Sequence, residues 1–295
     1  MGAPTRLSQP RRSNLAVVGS ATQPERDKDG DWEMDQVARD QAWRQILGIG
    51  FYVGDVGGAI ERVSRGGLLV VPAAPALKDV ARNKEYREAL VNADLAIADS
   101  AFMVLVWNLI QGDSIRRLSG LKYLRELLQH PVVRKPGSTF WVMAGRGSSQ
   151  TNIRWLATQG ISVPEECIYE APMYGAEIED PELIRRLETL RPKHVIITLG
   201  GGTQERLGHY LKQHLDYLPA IHCIGAAIAF LSGDQVRIPD WADRLYLGWL
   251  FRCLSSPRRF LPRYLSAPQL VPLIWRYRSQ LPVSQIPQPP LAHAD

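Results

Sequence analysis

The sequence predicts an α/β fold in which an open, mostly parallel sheet carries helices on both faces and a helical C-terminal appendage follows it. Two observations predict the sheet. Short apolar runs of strand length alternate with stretches at helical spacing that are long enough for right-handed crossovers. One run, His194–Leu199, leads directly into three glycines, a composition that suits a tight strand-to-helix turn. The appendage is predicted by a change after Gly233 to segments rich in arginine and tryptophan.

The elements are expected in a regular order from Ile46 onward. A strand over Leu68–Val71 precedes a helix over Leu77–Leu90, and a strand over Leu95–Ala98 precedes an apolar helix over Phe102–Ile110. The period of the apolar residues, near two or near 3.6, distinguishes the two kinds of segment. Three further strands are predicted at Thr139–Met143, Val195–Leu199 and Ile221–Ile224. With helices between them, these strands make a Rossmann-like sheet.

Four segments are expected along the chain. Residues 1–44 are polar and charged without a sustained apolar period, which predicts a disordered extension. Residues 45–233 hold the α/β core, residues 234–282 form the Arg- and aromatic-rich appendage, and residues 283–295 form a flexible, Pro-rich tail. The appendage helices are expected to break at their prolines, which are Pro239, Pro257, Pro262, Pro268 and Pro272.

Composition and charge limit the classes of partner. The 295 residues, 45% of them apolar, are enough for one large core. The net charge of +5 comes mainly from arginine, which favours anionic partners such as phosphates or acidic lipid. Nucleic acid is not expected, because RNP, zinc-finger and helix-turn-helix signatures are absent and the basic residues are interleaved with bulky apolar ones.

Cysteine and histidine content predicts a cytoplasmic protein without a metal. The three cysteines are widely spaced, so neither a disulfide framework nor a zinc site is expected, and the six histidines include no H-E-x-x-H pair. No apolar run reaches the ~18 residues of a spanning helix. The N-terminal arginines are not followed by the apolar stretch of a signal peptide. We therefore expect a chain that stays on the cytosolic side of the membrane.

The turn at Gly200–Gly202 is a candidate ligand site. Without Cβ atoms, three adjacent glycines let the backbone approach a ligand, and Thr203 is placed to cap the following helix, so the turn could bind phosphate. Leu207 and Leu211 mark one buried face of that helix. The alternative is a turn that binds nothing, since the G-x-G-x-x-G spacing is absent.

Asp99 follows an apolar run and is expected at the carboxyl end of a strand, where open α/β sheets bind their ligands. A carboxylate there can act as a general base that takes a proton from an acceptor hydroxyl. A structural alternative stays open at this point. Asp99 and Ser100 immediately precede the helix at Phe102, and either can be its N-cap.

Three further side chains are candidates for substrate contacts. Arg116 and Arg117 lie in a loop between helices and could clamp a diphosphate, because a guanidinium can bind two phosphate oxygens at once. Solvated surface charge is the alternative for both. Tyr174 lies beside Gly175 in a loop and could stack on a base or a sugar.

The segment from Trp241 to Tyr264 mixes aromatic residues and arginine at helical spacing. This composition suits a membrane interface, where aromatic rings lie at headgroup level and arginines meet acidic lipid. The alternative is a set of ordinary helices packed on the core or on a sister subunit of a homo-oligomer. A chain truncated near residue 235 is expected to be a soluble core.

Seven landmarks in order are Ile46-Leu-Gly-Ile49, Tyr86-Arg-Glu-Ala-Leu90, Ala93–Asp99, Arg117-Leu-Ser-Gly120, Gly200–Glu205, Ile224–Gly233 and Trp249–Arg259. With them the chain resembles the WecG/TagA/CpsF family of bacterial glycosyltransferases. The resemblance implies an inverting, metal-independent hexosyltransferase that moves a sugar from a UDP-sugar to a polyprenyl-diphosphate-linked sugar in surface or exopolysaccharide biosynthesis. It also implies that the appendage docks peripherally on the inner face of the cytoplasmic membrane. The donor sugar is expected to be N-acetylmannosamine-like or glucose-like.

The resemblance also implies roles for individual residues. Asp99 matches the proposed catalytic base of the family. Arginines of the appendage are expected to meet the diphosphate. Together with the glycine turn, the candidate substrate-binding residues are Arg117, Tyr174, Gly200, Gly201, Gly202, Thr203, Gln204, Glu205, Arg252, Arg258 and Arg259.

Five positions depart from the family pattern. The family's Thr-Pro-Asn element is Val71-Pro-Ala73, and the glycine after the key aspartate is Ser100. Ala229 replaces the aspartate of a Phe-Asp-Phe run, and Gly248 replaces the glutamate before the appendage tryptophan. Each hydrogen-bonding group lost from a polar pocket costs ~1–3 kcal/mol, enough to change sugar preference or abolish turnover.

Two hypotheses follow from these departures. In the first, the chain is an active glycosyltransferase of a divergent subgroup. In the second, it is a catalytically weak or inactive relative that binds a nucleotide sugar or glycolipid as an assembly factor. Retention of Asp99 together with Arg117, Gln204 and Glu205 favours the first.

Overall fold

The computed structural model describes residues 42–235, 239, 241–242 and 247–284, except for the side chain of Arg259. Within these residues, the strands are Trp43–Ile46 (β1), Ile49–Tyr52 (β2), Gly67–Val70 (β3), Leu95–Ile97 (β4), Thr139–Met143 (β5), Ile168–Glu170 (β6), His194–Ile197 (β7) and Ala220–Cys223 (β8). They form one sheet in the order β1-β2-β4-β3-β8-β7-β5-β6. Neighbouring strands are parallel, apart from the antiparallel hairpin of β1 and β2. The predicted α/β class, with a mostly parallel Rossmann-like sheet, is confirmed.

Helices connect the strands and continue beyond the sheet. Between the strands the α-helices are Val56–Val63 (α1), Ala74–Leu77 (α2), Lys84–Val91 (α3), Ala101–Gln111 (α4), Gly120–Leu127 (α5), Arg146–Thr158 (α6), Pro181–Leu190 (α7) and Thr203–His214 (α8). After β8 they are Ala227–Ser232 (α9), Gly248–Ser255 (α10), Pro257–Leu265 (α11) and Leu270–Tyr277 (α12). Short 3-10 turns at Glu165–Cys167 and Ala267–Gln269 precede β6 and α12.

Side chains of the strands alternate between two cores, one on each face of the sheet. In β3, Leu68 and Val70 enter the first core, whereas Leu69 enters the second, as the period of two requires. The first core is covered by α2, α3, α4, α7, α8 and α12. The second is covered by α1, α5, α6 and α9. Because both faces are buried, the central strands are apolar at nearly every position.

Two parts of the chain differ from the sequence prediction. The helix expected over Leu77–Leu90 is two helices, α2 and α3. Asn83 Oδ1 accepts a hydrogen bond from the Tyr86 N–H (2.8 Å) and caps α3, and such a cap favours a new helix start over continuation. The hairpin β1–β2 and the edge strand β6 were not predicted, because β1 and β6 lie at the edges of the sheet and carry polar residues where the central strands have continuous apolar runs.

The appendage is divided between the core and the surface. Leu270 and Ile274 of α12 are fully buried in the first core, where α12 packs against α4. After α12, the Arg278 carbonyl accepts a hydrogen bond from the Leu47 N–H (2.8 Å) in the β1–β2 hairpin. Helices α10 and α11 keep several large apolar side chains exposed. Helix α12 is therefore packed on the core, whereas α10 and α11 expose apolar side chains at the surface.

The prediction that the appendage prolines break helices holds for Pro257 and Pro268, which separate α10 from α11 and α11 from α12, but it is wrong for Pro262 and Pro272. Pro257 opens α11, and Pro272 lies in the first turn of α12, where a missing N–H has no helical partner to lose. Pro262 lies inside α11. Pro268 is in the 3-10 turn before α12, while Pro239 lies between undescribed residues.

The terminal segments lie almost wholly outside the described residues. Residues 1–41 and 285–295 are not described, so the expected extension and tail stay predictions. Strand β1 begins at Trp43, slightly before the expected start of the core. In the part of the chain that is described, no helix is long and apolar enough to cross a membrane.

Candidate active site

The candidate site lies at the carboxyl edge of the sheet. Because β2 to β8 are parallel, the loops that follow them meet at this edge. Strands β4 and β2 lie beyond β3 on one side, and β7, β5 and β6 lie beyond β8 on the other. The order in which the strands are added therefore reverses between β3 and β8. At such a point the loops after the two strands turn to opposite faces of the sheet and leave a crevice between them. The loops after β3, β4, β7 and β8 border this crevice.

Asp99 lies two residues after the end of β4, and 29% of its side chain is exposed. Its Oδ1 accepts hydrogen bonds from Arg117 Nη2 (2.8 Å) and from the Gly120 N–H (3.0 Å). Arg117 Nε also donates to the Asp99 carbonyl (2.6 Å), so one guanidinium holds both the side chain and the backbone. Oδ2 accepts no hydrogen bond from any residue that the structure describes. The carboxylate is held in place, and Oδ2 is the oxygen that can take a proton.

The helix cap that competed with a catalytic role for Asp99 belongs to Ser100. Ser100 Oγ accepts a hydrogen bond from the Met103 N–H (3.3 Å) and is the N-cap of α4. The Asp99 carboxylate is not used in this cap. The structural alternative for Asp99 is therefore wrong, and its role as a base stays a prediction. Ser100 itself, where the family has glycine, has a structural function.

Gly120 brings the loop after β3 to the same carboxylate. A Cβ atom added at Gly120 would lie 3.3 Å from Val71 Cγ1 and 3.7 Å from Asp99 Oδ2. A larger residue would crowd Val71, whereas its distance to Asp99 would be an ordinary van der Waals contact. Val71 of the altered Val71-Pro-Ala73 element therefore lies beside Gly120 and the site.

The two arginines expected to clamp a diphosphate have different surroundings. Arg117 is 14% exposed and bound to Asp99, whereas the Arg116 side chain is exposed. The contacts of Arg117 make it a positioning residue for Asp99. A direct contact between either arginine and a phosphate stays a prediction.

The turn after β7 is built around Gly202. This residue has a φ of +94°, a region that favours glycine. It is the N-cap of α8, and its N–H donates to Glu205 Oε2 (2.6 Å). Thr203, predicted as the cap, is instead the first helical residue, because glycine at 202 lets the backbone turn one residue earlier. Among the described residues, no atom lies within 4 Å of a Cβ placed at Gly200 or Gly202, whereas a Cβ placed at Gly201 would lie 3.0 Å from Arg263 Nη2. The turn is therefore open at Gly200 and Gly202 and contacted by Arg263 at Gly201.

Gln204 and Glu205 are buried beneath this turn. Gln204 Nε2 donates to Glu205 Oε1 (3.0 Å), and Gln204 Oε1 accepts from the Gly225 N–H (2.5 Å) in the loop after β8. Burial raises the pKa of Glu205, and the hydrogen bonds from Gln204 and Gly202 oppose that rise. The two side chains therefore join the turn to the neighbouring loop. Their direct contact with a substrate stays a prediction.

Tyr174 lies in a loop that is joined to the glycine turn. Its hydroxyl donates to Asp180 Oδ2 (2.6 Å), and burial together with this carboxylate raises the pKa of Tyr174. Arg206 joins the two loops, because its Nε donates to the Gly202 carbonyl (3.2 Å) and its Nη1 to the Gly175 carbonyl (3.0 Å). The ring of Tyr174 is half-buried. Stacking on a base or sugar stays a prediction.

The three appendage arginines predicted to meet a diphosphate also differ. Arg252 Nη1 donates to the Tyr264 hydroxyl (3.1 Å), and its guanidinium lies 4.4 Å from the centre of the Phe230 ring. Arg252 therefore joins α10 to α11 and to the core helix α9. Arg258 is exposed and has no hydrogen bond or ion pair with the residues described. The side chain of Arg259 lies outside the described part of the chain.

Sequence reasoning missed a second glycine-containing turn at this edge. Gly145-Arg146-Gly147 follows β5 and opens α6. Here too the space is open, since no described atom lies within 4 Å of a Cβ placed at Gly145 or Gly147. The signal was present as a G-x-G element directly after the apolar run of β5.

Positive charge near the crevice comes from arginine side chains such as Arg117 and Arg206. Over the described ranges, no group of three His, Cys, Asp or Glu side chains is arranged to hold a metal ion. Guanidinium groups bind phosphate oxygens through charge-assisted hydrogen bonds. Recognition of a phosphorylated ligand by these arginines stays a prediction.

Comparison with known families gives a match over most of the chain. The model described as "Glycosyl transferase WecG/TagA/CpsF family" matches residues 44–283. The match includes the whole sheet except the first residue of β1, and it extends through α12. It therefore covers both the candidate site and the appendage.

Two relatives from Bacillus carry the same name, N-acetylglucosaminyldiphosphoundecaprenol N-acetyl-beta-D-mannosaminyltransferase. The protein of Bacillus spizizenii (strain ATCC 23059 / NRRL B-14472 / W23) is 25% identical over 214 residues, which are 72% of this chain and 80% of the relative. The protein of Bacillus subtilis (strain 168) is 25% identical over 189 residues, 64% of this chain and 71% of the relative. Both similarities cover most of the relative's length.

Proposed function

Because the chain belongs to the WecG/TagA/CpsF family of glycosyltransferases, we propose that it transfers a hexose from a UDP-sugar to a sugar on polyprenyl diphosphate. The names of both relatives specify an N-acetyl-β-D-mannosaminyl group and a diphosphoundecaprenol-linked N-acetylglucosamine. An acceptor of the same class is proposed here, with an N-acetylmannosamine-like or glucose-like donor. The reaction is proposed to invert the anomeric carbon without a metal, in surface or exopolysaccharide biosynthesis.

The observation that carries this proposal is the arrangement of Asp99, Arg117 and Gly120. A general base must be fixed in position and must keep one oxygen for the proton it takes. Arg117 and Gly120 hold Oδ1 at 2.8 and 3.0 Å, and Oδ2 accepts no hydrogen bond from a described residue. Asp99 therefore meets the geometric requirement for activating an acceptor hydroxyl.

The proposed reaction is a single displacement. Asp99 Oδ2 takes the proton of the acceptor hydroxyl, and the acceptor oxygen forms a bond to the anomeric carbon of the donor sugar. The bond from that carbon to the phosphate oxygen breaks, and UDP leaves with the electron pair. Attack opposite the leaving group inverts the configuration. Guanidinium groups stabilise the charge that develops on the diphosphate.

The two ends of the site have a separation that suits the donor. Asp99 follows β4 and the glycine turn follows β7, and three strand spacings lie between them. At about 4.8 Å per spacing, the distance is about 14 Å along the sheet edge. A nucleotide sugar can lie along this edge, with UDP toward Gly200–Gly202 and the transferred sugar toward Asp99.

Peripheral docking on the cytoplasmic membrane is the second part of the proposal. Residues 245–294 contain six arginines and no acidic residue, which suits an anionic lipid surface. Large exposed apolar side chains accompany them on α10, α11 and α12, and on α4, which packs against α12. They are Leu105, Leu109, Trp249, Leu254, Leu261, Leu265, Val271 and Trp275.

The test uses the purified full chain in two steps. Calorimetric titration with UDP and a panel of UDP-sugars identifies the donor, and transfer from that labelled donor is then measured onto polyprenyl-diphosphate-linked N-acetylglucosamine in lipid vesicles. We expect one UDP-sugar to bind and to be transferred. Binding without transfer to any lipid-linked acceptor would favour the inactive assembly factor, and no binding of any UDP-sugar would contradict the proposed donor.

A further inference from the structure

One buried carboxylate holds the loop that carries Tyr174. Residues 171–180 join β6 to α7 and form neither helix nor strand. Asp180 ends this loop and is 4% exposed. Its Oδ2 accepts a hydrogen bond from the Tyr174 hydroxyl (2.6 Å), and the Tyr169 hydroxyl lies 2.9 Å from both of its oxygens. Its Oδ1 also accepts from the Leu183 N–H (3.0 Å) and caps α7. The carboxylate therefore binds the strand before the loop, the loop itself and the helix after it.

Helix α8, which starts at the glycine turn, holds the same loop at two points. The Tyr210 hydroxyl accepts a hydrogen bond from the Asp180 N–H (3.2 Å). Arg206 Nη1 donates to the Gly175 carbonyl (3.0 Å), and Arg206 Nε donates to the Gly202 carbonyl (3.2 Å). Residues 206 and 210 are four positions apart and lie on one side of the helix. Hydrogen bonds therefore fix the spacing between this loop and the glycine turn.

These contacts decide which part of Tyr174 a ligand can meet. Burial and the Asp180 carboxylate raise the pKa of Tyr174, so the hydroxyl keeps its proton and donates it to Asp180. The ring is half-buried and packs against the first core. An aromatic ring binds a base or a sugar through its face. The surface that Tyr174 offers to a ligand is therefore its ring, because the hydroxyl proton is already used.

We propose that Asp180 is a positioning residue that holds the Tyr174 ring as a preformed stacking surface for the base of the donor nucleotide. This inference rests on the proposed UDP-sugar donor and adds to it a residue that acts through Tyr174. Strand β6 lies two spacings from β7, about 10 Å along the sheet edge. A base can span this distance through its ribose when its diphosphate lies on Gly200–Gly202. Because the ring is fixed beforehand, it loses little freedom when the base binds.

The first test compares two tyrosines that bind the same carboxylate. Tyr174→Phe and Tyr169→Phe each remove one hydroxyl that donates to Asp180, but the proposed stacking ring belongs to Tyr174. In calorimetry, Tyr174→Phe should weaken UDP binding about 5-fold, because the ring loses its fixed orientation and part of its stacking energy. Tyr169→Phe is the matched control and should bind UDP within about twofold of the wild type. Equal UDP affinities of the two variants would overturn the proposal.

A second measurement separates positioning from a direct contact between the Tyr174 hydroxyl and the nucleotide. Asp180→Asn removes the charged acceptor of that hydroxyl and leaves the ring in the chain. If the hydroxyl acts through Asp180, Tyr174→Phe should weaken UDP binding in the wild-type background and should change it little in the Asp180→Asn background. The same decrease in both backgrounds would mean that the hydroxyl contacts the nucleotide, and it would overturn the positioning role.

A third measurement needs no nucleotide and separates this inference from the choice of donor. In the full chain labelled with fluorotyrosine, the ¹⁹F resonance of Tyr174 is the one that Tyr174→Phe removes. In Asp180→Asn this resonance should shift toward that of a mobile, exposed tyrosine, and an unchanged resonance would overturn the role of Asp180. If the wild type binds no UDP, the proposed donor and the stacking of its base fail together, and this spectrum still decides whether Asp180 holds the ring.

Discussion

At the scale of single residues, the neighbours of Asp99 hold its carboxylate in place. Arg117 and the Gly120 N–H hold Oδ1, and Ser100 takes the cap of α4. A carboxylate next to a helix start is often used as the cap. Here the hydroxyl of the next residue serves that purpose, which leaves the carboxylate at the crevice.

We expect Asp99→Asn to lower transfer by at least 100-fold, because an amide cannot take the acceptor proton, while UDP affinity stays within about twofold. Transfer is measured with the labelled donor and binding by calorimetry. Ser100→Ala is the control: it should lose ~1 kcal/mol of stability with its cap but should keep transfer. Wild-type turnover in Asp99→Asn would remove Asp99 from the mechanism.

A second residue-scale feature is a buried chain of polar rings between the sheet and α5. The Tyr123 hydroxyl lies 2.8 Å from His222 Nδ1, and His222 Nε2 lies 3.0 Å from His194 Nδ1. Burial lowers the pKa of His194 to about 4 and also lowers that of His222. Both imidazoles are therefore neutral at pH 7, and protonation of either would place a charge in the core.

Stability should consequently fall on acidification. Unfolded histidine binds a proton near pH 6.5, whereas folded His194 binds one only near pH 4, so between these values the unfolded state holds more protons. At pH 5 this lowers the free energy of unfolding by about 2 kcal/mol for His194. Urea unfolding at pH 7.5 and pH 5.0 measures the loss. His194→Gln keeps a hydrogen-bonding group but cannot be protonated, and it should lose about 2 kcal/mol less; an unchanged loss would contradict the assignment.

At the scale of elements, α4 shows how one helix can serve both core and surface. None of its residues is charged. Met103, Val104 and Trp107 enter the core, whereas Leu109, one turn after Leu105 on the opposite side, is 86% exposed. Because α12 packs against α4, we expect the exposed apolar residues of the two helices to dock on the same lipid surface.

We expect the double variant Leu105→Ser with Leu109→Ser to bind vesicles containing phosphatidylglycerol at least 10-fold more weakly, because each leucine that enters the lipid contributes about 1–2 kcal/mol. Co-sedimentation with vesicles measures the loss. Leu218→Ser is the control, since Leu218 is 49% exposed but precedes β8 at the opposite edge of the sheet. Equal binding of the double variant and the wild type would exclude α4 from the docking surface.

At the scale of the whole molecule, the C-terminal helix is part of the core. Leu270 and Ile274 are fully buried, and the chain after α12 is bound to the β1–β2 hairpin. The Arg87 Nη1 also donates to the Pro282 carbonyl (2.6 Å). The last described residues therefore stabilise the fold.

The structure changes what is expected of a chain that ends at residue 235. The sequence predicts that this truncated chain is a soluble core. In the structure, however, the truncation removes α12 and leaves an apolar gap beside α4. Losing a buried Leu or Ile side chain costs about 2–5 kcal/mol, a large part of the 5–15 kcal/mol typical of a folded domain. We expect a much lower Tm or aggregation in thermal unfolding. A Tm equal to that of the full chain would show that α12 is dispensable.

The sequence alone determined the parallel sheet, and it placed Asp99 and the glycine turn at one edge, because apolar period and the end of a strand are local properties. Boundaries at Asn83 and Thr203 were wrong, since caps and turns depend on single hydrogen bonds that compete with helix continuation. The neighbours of Asp99 and the contact of Arg263 with Gly201 could not be predicted. Such contacts join residues far apart in the chain, and only the packing of the folded molecule decides which of them meet.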